Sequence, residues 1–289
     1  MKNESKNKKH SRRVKNIPGM SQILIDFKPE RCNSNVYINQ KMDVTNLYNY
    51  VQKKKKTNKD ITLFHAFLTG IGKIFYNRPY LNRYITNRHV YEHTDVNISF
   101  VAKVSFDDKS EEIMIIIKVD EDDTIDSISK KIKAKVDEIR KGKKIDKKGA
   151  NNALDIFGKM PNPIRIPLVG IFKWLDKKNI LPKSLIEDNL YYSSLIVSDL
   201  GTFKCGAIYH NITNFGTSSG LVTIGEVKDE VVMVNGKKEI KKTCEFGINL
   251  DERIADGYYF IKSMQLLEYI YSNPELLEDK ANEKVEIKK

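Results

Sequence analysis

The stretch CEFGINLDERIADGYYFIKSMQLLEYIYSNPELL, Cys244 to Leu277, decides the fold. Phe246, Ile248 and Leu250 alternate with Gly or polar residues, the period of a strand that turns one face to a core. Asp251-Glu252-Arg253-Ile254-Ala255-Asp256-Gly257 then crowds four charges into seven residues, a turn in which Gly257 permits backbone that other residues avoid. From Phe260 onward apolar side chains return at Met264, Leu267 and Ile270 or Tyr271. This is helical spacing, and Pro274 stops it.

Outward from this stretch, strands and helices intermingle along the whole chain. Residues 1 to 18 are polar and basic and read as a disordered tail. Ser21 to Phe27 and Val36 to Met42 have strand character, and Asp43 to Lys53 reads as a short amphipathic helix. Asp60 reads as the cap of a stronger helix, whose Leu63, Phe64, Phe67, Leu68, Ile71, Ile74 and Phe75 form a wide apolar face that ends at Asn77-Arg78-Pro79. Strands follow at Arg88 to Glu92, Val96 to Ser105 and Glu112 to Val119, the last two joined through Asp107-Asp108-Lys109 as an antiparallel hairpin. Thr124 to Lys141 carries Ile125, Ile128, Ile132, Val136 and Ile139 at helical spacing over a mixed-charge, solvated face. Further strands are expected at Tyr191 to Val197, Leu221 to Val227, Val231 to Val234 and Lys237 to Lys242, with Asn235-Gly236 as a hairpin turn. No internal repeat or linker divides them. The expectation is a single α/β domain over residues 19 to 278, with a mixed, largely antiparallel sheet and a charged tail from 279 to 289.

Lys141 to Asn189 stands apart. Pro161, Pro163, Pro167 and Pro182 punctuate it, and Ile166 to Leu175, with the only tryptophan, Trp174, is apolar enough to bury. A packed helical excursion is the preferred reading. A lid over a cleft and weak contact with a membrane surface through residues 166 to 175 are the others.

Composition narrows the function classes. With 289 residues and 40% hydrophobic content the chain can bury a full core. No apolar run approaches the ~20 residues of a membrane span, and the basic N-terminus lacks the hydrophobic segment of a secretory signal, so a cytoplasmic protein is expected. Cys32, Cys205 and Cys244 are an odd number without metal spacing and read as buried free thiols, and the five histidines complete no metal site. The formal charge of +12 lies mainly in tails, a helix end and a loop, with no interleaved aromatics, so a solvated surface is expected ahead of nucleic-acid binding.

The terminal stretch resembles the end of the dihydrolipoamide acyltransferase catalytic domain of 2-oxoacid dehydrogenase complexes, a fold shared with chloramphenicol acetyltransferase. That family's pattern is Asp-His-Arg-x-x-Asp-Gly. Four of its five specified positions hold in Asp251 to Gly257, and Glu252 stands where the family keeps its histidine. The resemblance extends over residues 36 to 278: Asp60 to Leu68 followed by Asn77 to Asn82, Val90 to Ile98 with its Asp-Val-Asn-Ile, Ser198-Asp199-Leu200-Gly201, and Pro274-Glu275-Leu276 occur in the family's order. Residues 147 to 188 are an insertion relative to the lipoyl-bearing members. No lipoyl domain precedes residue 36, so a stand-alone member is expected.

The resemblance implies a chloramphenicol acetyltransferase-like two-layer sandwich that assembles as a homotrimer, with coenzyme A or acyl-CoA as substrate and an active site between subunits. In that family a histidine takes the proton of the CoA or dihydrolipoamide thiol, and a serine from the neighbour stabilises the oxyanion. By motif position Ser198 becomes the oxyanion donor, Glu252 occupies the place of the base, and Asp256 holds the turn through Arg253 or backbone donors. Gly257, Asp199 and Gly201 support the site. The bland readings are that Ser198 is only a turn residue and Asp256 only a helix cap. A thiol at pKa ~8.5 and a glutamate at ~4.3 are mismatched by about four units, or roughly 6 kcal/mol of proton-transfer driving force. Burial narrows that gap. Two functions follow: an acyltransferase with an altered base and an unknown acceptor, or an inactive homologue serving as a trimeric scaffold or acyl-CoA-binding module.

Overall fold

A computed structural model describes residues 11–103, 112–140, 157–187 and 189–288. In chain order the elements are β1 (Ser11–Arg13), α1 (Gly19–Phe27), β2 (Asn35–Asp43), α2 (Thr45–Lys54), α3 (Leu63–Asn77), β3 (Arg83–Thr86), β4 (His89–His93), β5 (Val96–Lys103), β6 (Glu112–Val119), α4 (Ile125–Arg140), α5 (Asn162–Lys177), β7 (Leu195–Asp199), β8 (Gly220–Ile224), β9 (Lys228–Val234), β10 (Lys237–Asp251) and α6 (Gly257–Ser272). The main sheet runs β2-β10-β8-β7-β5-β6, with β9 also paired to β10. Only β7 is parallel to its neighbours, β5 and β8, so the sheet is mixed and largely antiparallel as its patterning predicts. β1, β4 and β3 form a small second sheet.

β10 is the spine. Its residues Phe246, Ile248 and Leu250 point into the core that α2, α3, α4 and α6 cover. There Phe67 of α3, Phe246 and Tyr271 of α6 form a ring cluster, with centroids 5.3 Å apart between Phe67 and Phe246 and 5.4 Å between Phe67 and Tyr271. The Tyr271 hydroxyl donates to the Phe67 carbonyl at 2.9 Å, which satisfies a buried polar group without breaking the packing. The other face of β10 is covered by the loop after β7. A methyl group on Gly247 would stand 2.3 Å from the Ile208 carbonyl oxygen, so only glycine lets that loop lie against the strand.

Several expectations change. Ser21 to Phe27 is helical, not extended, because Met20, Ile23 and Phe27 share a helix face while Ile25 is buried on the opposite side. The cap of α3 is Thr62, whose hydroxyl accepts from the His65 N–H at 3.2 Å, and Asp60 pairs instead with Lys133. β3 joins β4 through Asn87 and Arg88, both at positive φ, a hairpin turn that the pair Asn-Arg does not advertise. Lys237 to Leu250, expected as two strands, is one strand extending to Asp251. The proposed 107–109 turn lies outside the described residues. So do residues 1–10 of the tail, whereas Ser11–Arg13 pairs with β4. At the other end Ala281 is buried in the core, and the Lys280 carbonyl accepts from buried Lys73 Nζ at 2.6 Å. Cys244 is buried, and burial pushes its thiol up to about 12, but Cys32 and Cys205 are exposed.

The largest departure is α5. No residue of it is buried, and Ile166 and Trp174 are 65% and 56% exposed, so the packed excursion is overturned. Toward its C-terminus the helix is anchored where Asp176 reaches into the protein. Among the described residues no helix is long and apolar enough to cross a membrane.

His65 gives the fold a pH dependence. It is buried on α3, and burial lowers its imidazole to about 4, with Asp60 opposing weakly. The unfolded imidazole takes a proton near 6.5, so the folded state is favoured above that pH and loses on the order of 3 kcal/mol as pH falls from 6.5 toward 4. A His65→Leu variant is expected to flatten this limb in urea unfolding across that range; an unchanged slope would place the acid sensitivity elsewhere.

Candidate active site

The last residue of β10 carries a carboxylate with no access to solvent. Asp251 is wholly buried, and its two oxygens accept from Arg253 Nε at 2.7 Å and Nη2 at 2.6 Å, a two-pronged pair made within three residues. Arg31, itself buried, places Nε 3.8 Å from the same carboxylate and donates to the carbonyls of Thr213 at 3.1 Å and Gly216 at 2.9 Å. Burial lowers the Arg31 guanidinium and Asp251 raises it, so the carboxylate is what makes a second cation tolerable here. Arg253 Nη1 also donates to the Lys28 carbonyl at 2.9 Å, tying the end of α1 to the turn.

This frame positions Glu252. Its N–H donates to the Ser34 carbonyl at 2.9 Å, and its partly exposed carboxylate pairs with the Lys28 ammonium. Asp256 does not meet Arg253. Its carboxylate caps α6 by accepting from the Tyr259 N–H at 2.7 Å, the contact of a helix cap. Gly257 is the first residue of α6, its φ is not positive, and a methyl group there would meet nothing within 4 Å. Conformational freedom is therefore not its role.

Ser198 lies elsewhere. It sits on β7 opposite Thr223 of β8, which in turn faces Gly247 of β10, four residues before Asp251. At ~3.3 Å per residue and ~4.8 Å per strand, Ser198 and Asp251 are more than ~15 Å apart within one chain. Asp199 accepts from the Gly201 N–H at 3.0 Å and the Thr202 hydroxyl at 3.2 Å, while burial raises its carboxyl above the ordinary value. Gly201 is required sterically, since a methyl group would stand 2.8 Å from the Gly225 carbonyl oxygen. Asp199 and Gly201 thus shape the turn after Ser198, and Asp251 and Arg253 the turn before Asp256.

Sequence reading missed Lys28, Arg31, Asp176 and Tyr192. The Tyr192 hydroxyl donates to Asp176 at 2.5 Å, the other Asp176 oxygen accepts from the Gly216 N–H at 3.0 Å, and Gly216 is also held by Arg31. Burial raises Asp176 and Tyr192 alike. Behind this pair opens a cavity of about 320 Å³ walled by Tyr84, Tyr192 and Thr217, and the Thr217 hydroxyl is buried with no hydrogen-bond partner. Neither Ser198 nor Glu252 lines it. Among the described residues no group of three metal-ligating side chains comes together.

The geometry can be set beside solved structures. A probable dihydrolipoamide acetyltransferase from Listeria monocytogenes superposes with a TM-score of 0.59 at 15% identity, covering 91% of this chain and 95% of that one. A dihydrolipoamide acetyltransferase of Azotobacter vinelandii gives 0.59 at 12% identity over 91% and 93%, and a chloramphenicol acetyltransferase gives 0.53 at 10% identity over 91% and 98%. The chain has the chloramphenicol acetyltransferase-like fold. No family model matches it, and no curated protein matches it by sequence, so the likeness is carried by backbone path over nearly the whole of each chain. Within the chloramphenicol acetyltransferase-like fold, the Asp251 to Gly257 turn closes the spine strand and opens the last helix, which is where its sequence pattern predicts it.

The two aspartates of the turn are expected to differ sharply in weight. Asp251→Asn leaves two buried guanidinium groups short of their anion and is expected to cost about 3–5 kcal/mol. Asp256→Ala removes a helix cap and is expected to cost about 1 kcal/mol. Urea denaturation of the two variants checks this, and the reverse order would mean that Asp256 holds the turn.

Proposed function

We propose that the protein is a CoA-linked acyltransferase whose reaction centre forms between copies of the chain, with Glu252 in the proton-accepting position and Ser198 of a neighbouring copy donating to the oxyanion. The observation that carries this reading is the separation of the two motif residues. The buried Asp251–Arg253 pair presents Glu252 at the end of β10, while Ser198 stands on the same chain too far away to share a substrate with it. A second copy supplies the missing half. In the Azotobacter vinelandii dihydrolipoamide acetyltransferase, a serine, a histidine and an asparagine have been probed for their role in the catalytic mechanism. The last two stand four residues apart, and Glu252 and Asp256 have that spacing. Beside the site, α1 exposes Met20 and Phe27 by 81% and 82%, with Ile23 on the same face, and Lys28 directly follows. An apolar stripe bordering Glu252 suits the docking of a neighbour in a homotrimer.

In this reading the acceptor nucleophile attacks the thioester carbonyl of acyl-CoA and gives up its proton to Glu252. The tetrahedral oxyanion is held by the Ser198 hydroxyl. Collapse expels CoA as thiolate, which takes the proton back from Glu252. Lys28 offsets the negative charge that a bare carboxylate would bring beside the oxyanion. The same ion pair favours a second reading, a trimeric scaffold or acyl-CoA-binding module without turnover, because the carboxylate is already engaged.

Turnover of acyl-CoA against a panel of thiol and amine acceptors, dihydrolipoamide included, tests both. For a working enzyme, Glu252→Gln and Ser198→Ala are each expected to lower kcat/KM by about 10²-fold or more. Acyl-CoA binding by calorimetry without turnover in the wild type, together with transfer to dihydrolipoamide restored by Glu252→His, would replace the first reading by the second.

A further inference from the structure

We infer that the protein docks on anionic membrane surfaces through α5. This helix leaves five large apolar side chains in water, Ile164, Ile166, Val169, Ile171 and Trp174. Ile164 and Trp174 are each 56% exposed, Ile171 53% and Ile166 65%. Around the helix, Leu168, Phe172, Leu175 and Asp176 share the inward side, while Ile164, Ile166, Pro167, Ile171 and Trp174 occupy a broad outward arc. At ~1.5 Å per residue its 16 residues span ~24 Å, too short to cross a bilayer but suited to lying in the interface.

Charge selects the occupant. From Phe157 to Lys178 the basic residues are Lys159, Arg165, Lys173, Lys177 and Lys178, and the one acidic residue, Asp176, is turned inward onto Tyr192 and Gly216. The water-facing charge of the segment is therefore entirely positive, with Lys173 and Lys177 on either side of Ile166, and Lys177 also standing 3.9 Å from Glu30. A second copy presenting the same arc would bring like charges together, whereas anionic headgroups match the lysines as the acyl chains match the isoleucines. Trp174 has the apolar body and polar N–H that favour the boundary between the two. The apolar arc supplies area to bury and the lysines supply attraction to anionic headgroups, the two contributions on which interfacial binding depends. The inward-facing Asp176 fixes which side of the helix faces out, so the arc is presented by the fold itself and does not depend on acyl transfer.

Trp174 is the only tryptophan and so reports on α5 alone. The full chain is mixed with vesicles of phosphatidylserine and phosphatidylcholine, and in parallel with phosphatidylcholine alone. A blue shift of Trp174 emission, quenching by brominated lipid and salt-sensitive cosedimentation are expected with the anionic vesicles. An Ile166→Ser, Ile171→Ser double variant is expected to weaken partitioning by about tenfold or more, and Lys173→Gln, Lys177→Gln to remove most of its salt dependence. All four positions are exposed, and circular dichroism verifies that the helix persists. Emission unchanged by either vesicle overturns the inference. A blue shift that follows protein concentration without lipid overturns it in favour of contact between copies.

Discussion

A carboxylate buried between two guanidinium groups is the constraint on which this structure turns. Asp251 closes the spine strand, and because it is cut off from water it must be fully engaged. Arg253 engages it from two residues along the chain and Arg31 from more than two hundred. Those two arginines also bind the carbonyls of Lys28, Thr213 and Gly216. One buried charge thereby gathers the end of α1, the loop covering the sheet and the turn that presents Glu252. A second carboxylate, Asp176, extends the arrangement by holding Gly216 from the other side and fastening the foot of α5.

The exchange at position 252 is then chemically specific. The frame around it is intact: Asp251, Arg253 and Asp256 each make a defined contact, and the helix that follows is properly capped. In the function proposed above, what differs is the group offered to substrate. In that proposal a carboxylate beside an ammonium stands where the resembling family has a neutral ring, which alters both the charge near a developing oxyanion and the match to a thiol proton. Glu252 bears no packing load, its side chain being partly exposed while its neighbours on either side are buried.

The fold was legible wherever burial repeats with the period of the backbone. The spine strand, α3, α4 and the Asn235-Gly236 hairpin announce themselves because their apolar residues recur at two or at three to four positions, or because a turn demands particular residues. Reading failed where two periods fit the same few residues. In Ser21 to Phe27, alternation and helical spacing coexist, and only the burial of Ile25 selects the helix. It failed again at α5, where an apolar composition suits a core equally well as a surface destined for something else. The candidate site divides in the same manner. Ser198, Glu252 and Asp256 were found by motif, whereas Lys28 and Arg31 carry no local signal, being a lysine at the end of α1 and an arginine at the start of a short 3-10 turn.

The amino-acid sequence by itself determined the strand, turn and helix of residues 244 to 277, because these follow from neighbours a few residues apart. Only the tertiary structure decided that Arg31 is buried against Asp251, that Lys28 answers Glu252, that Ser198 and Glu252 are held apart, and that α5 faces outward. Each of these is a meeting, or a failure to meet, between residues tens to hundreds of positions apart. Which distant groups meet is set by the packing of the whole chain, and it leaves no periodicity for the sequence to display.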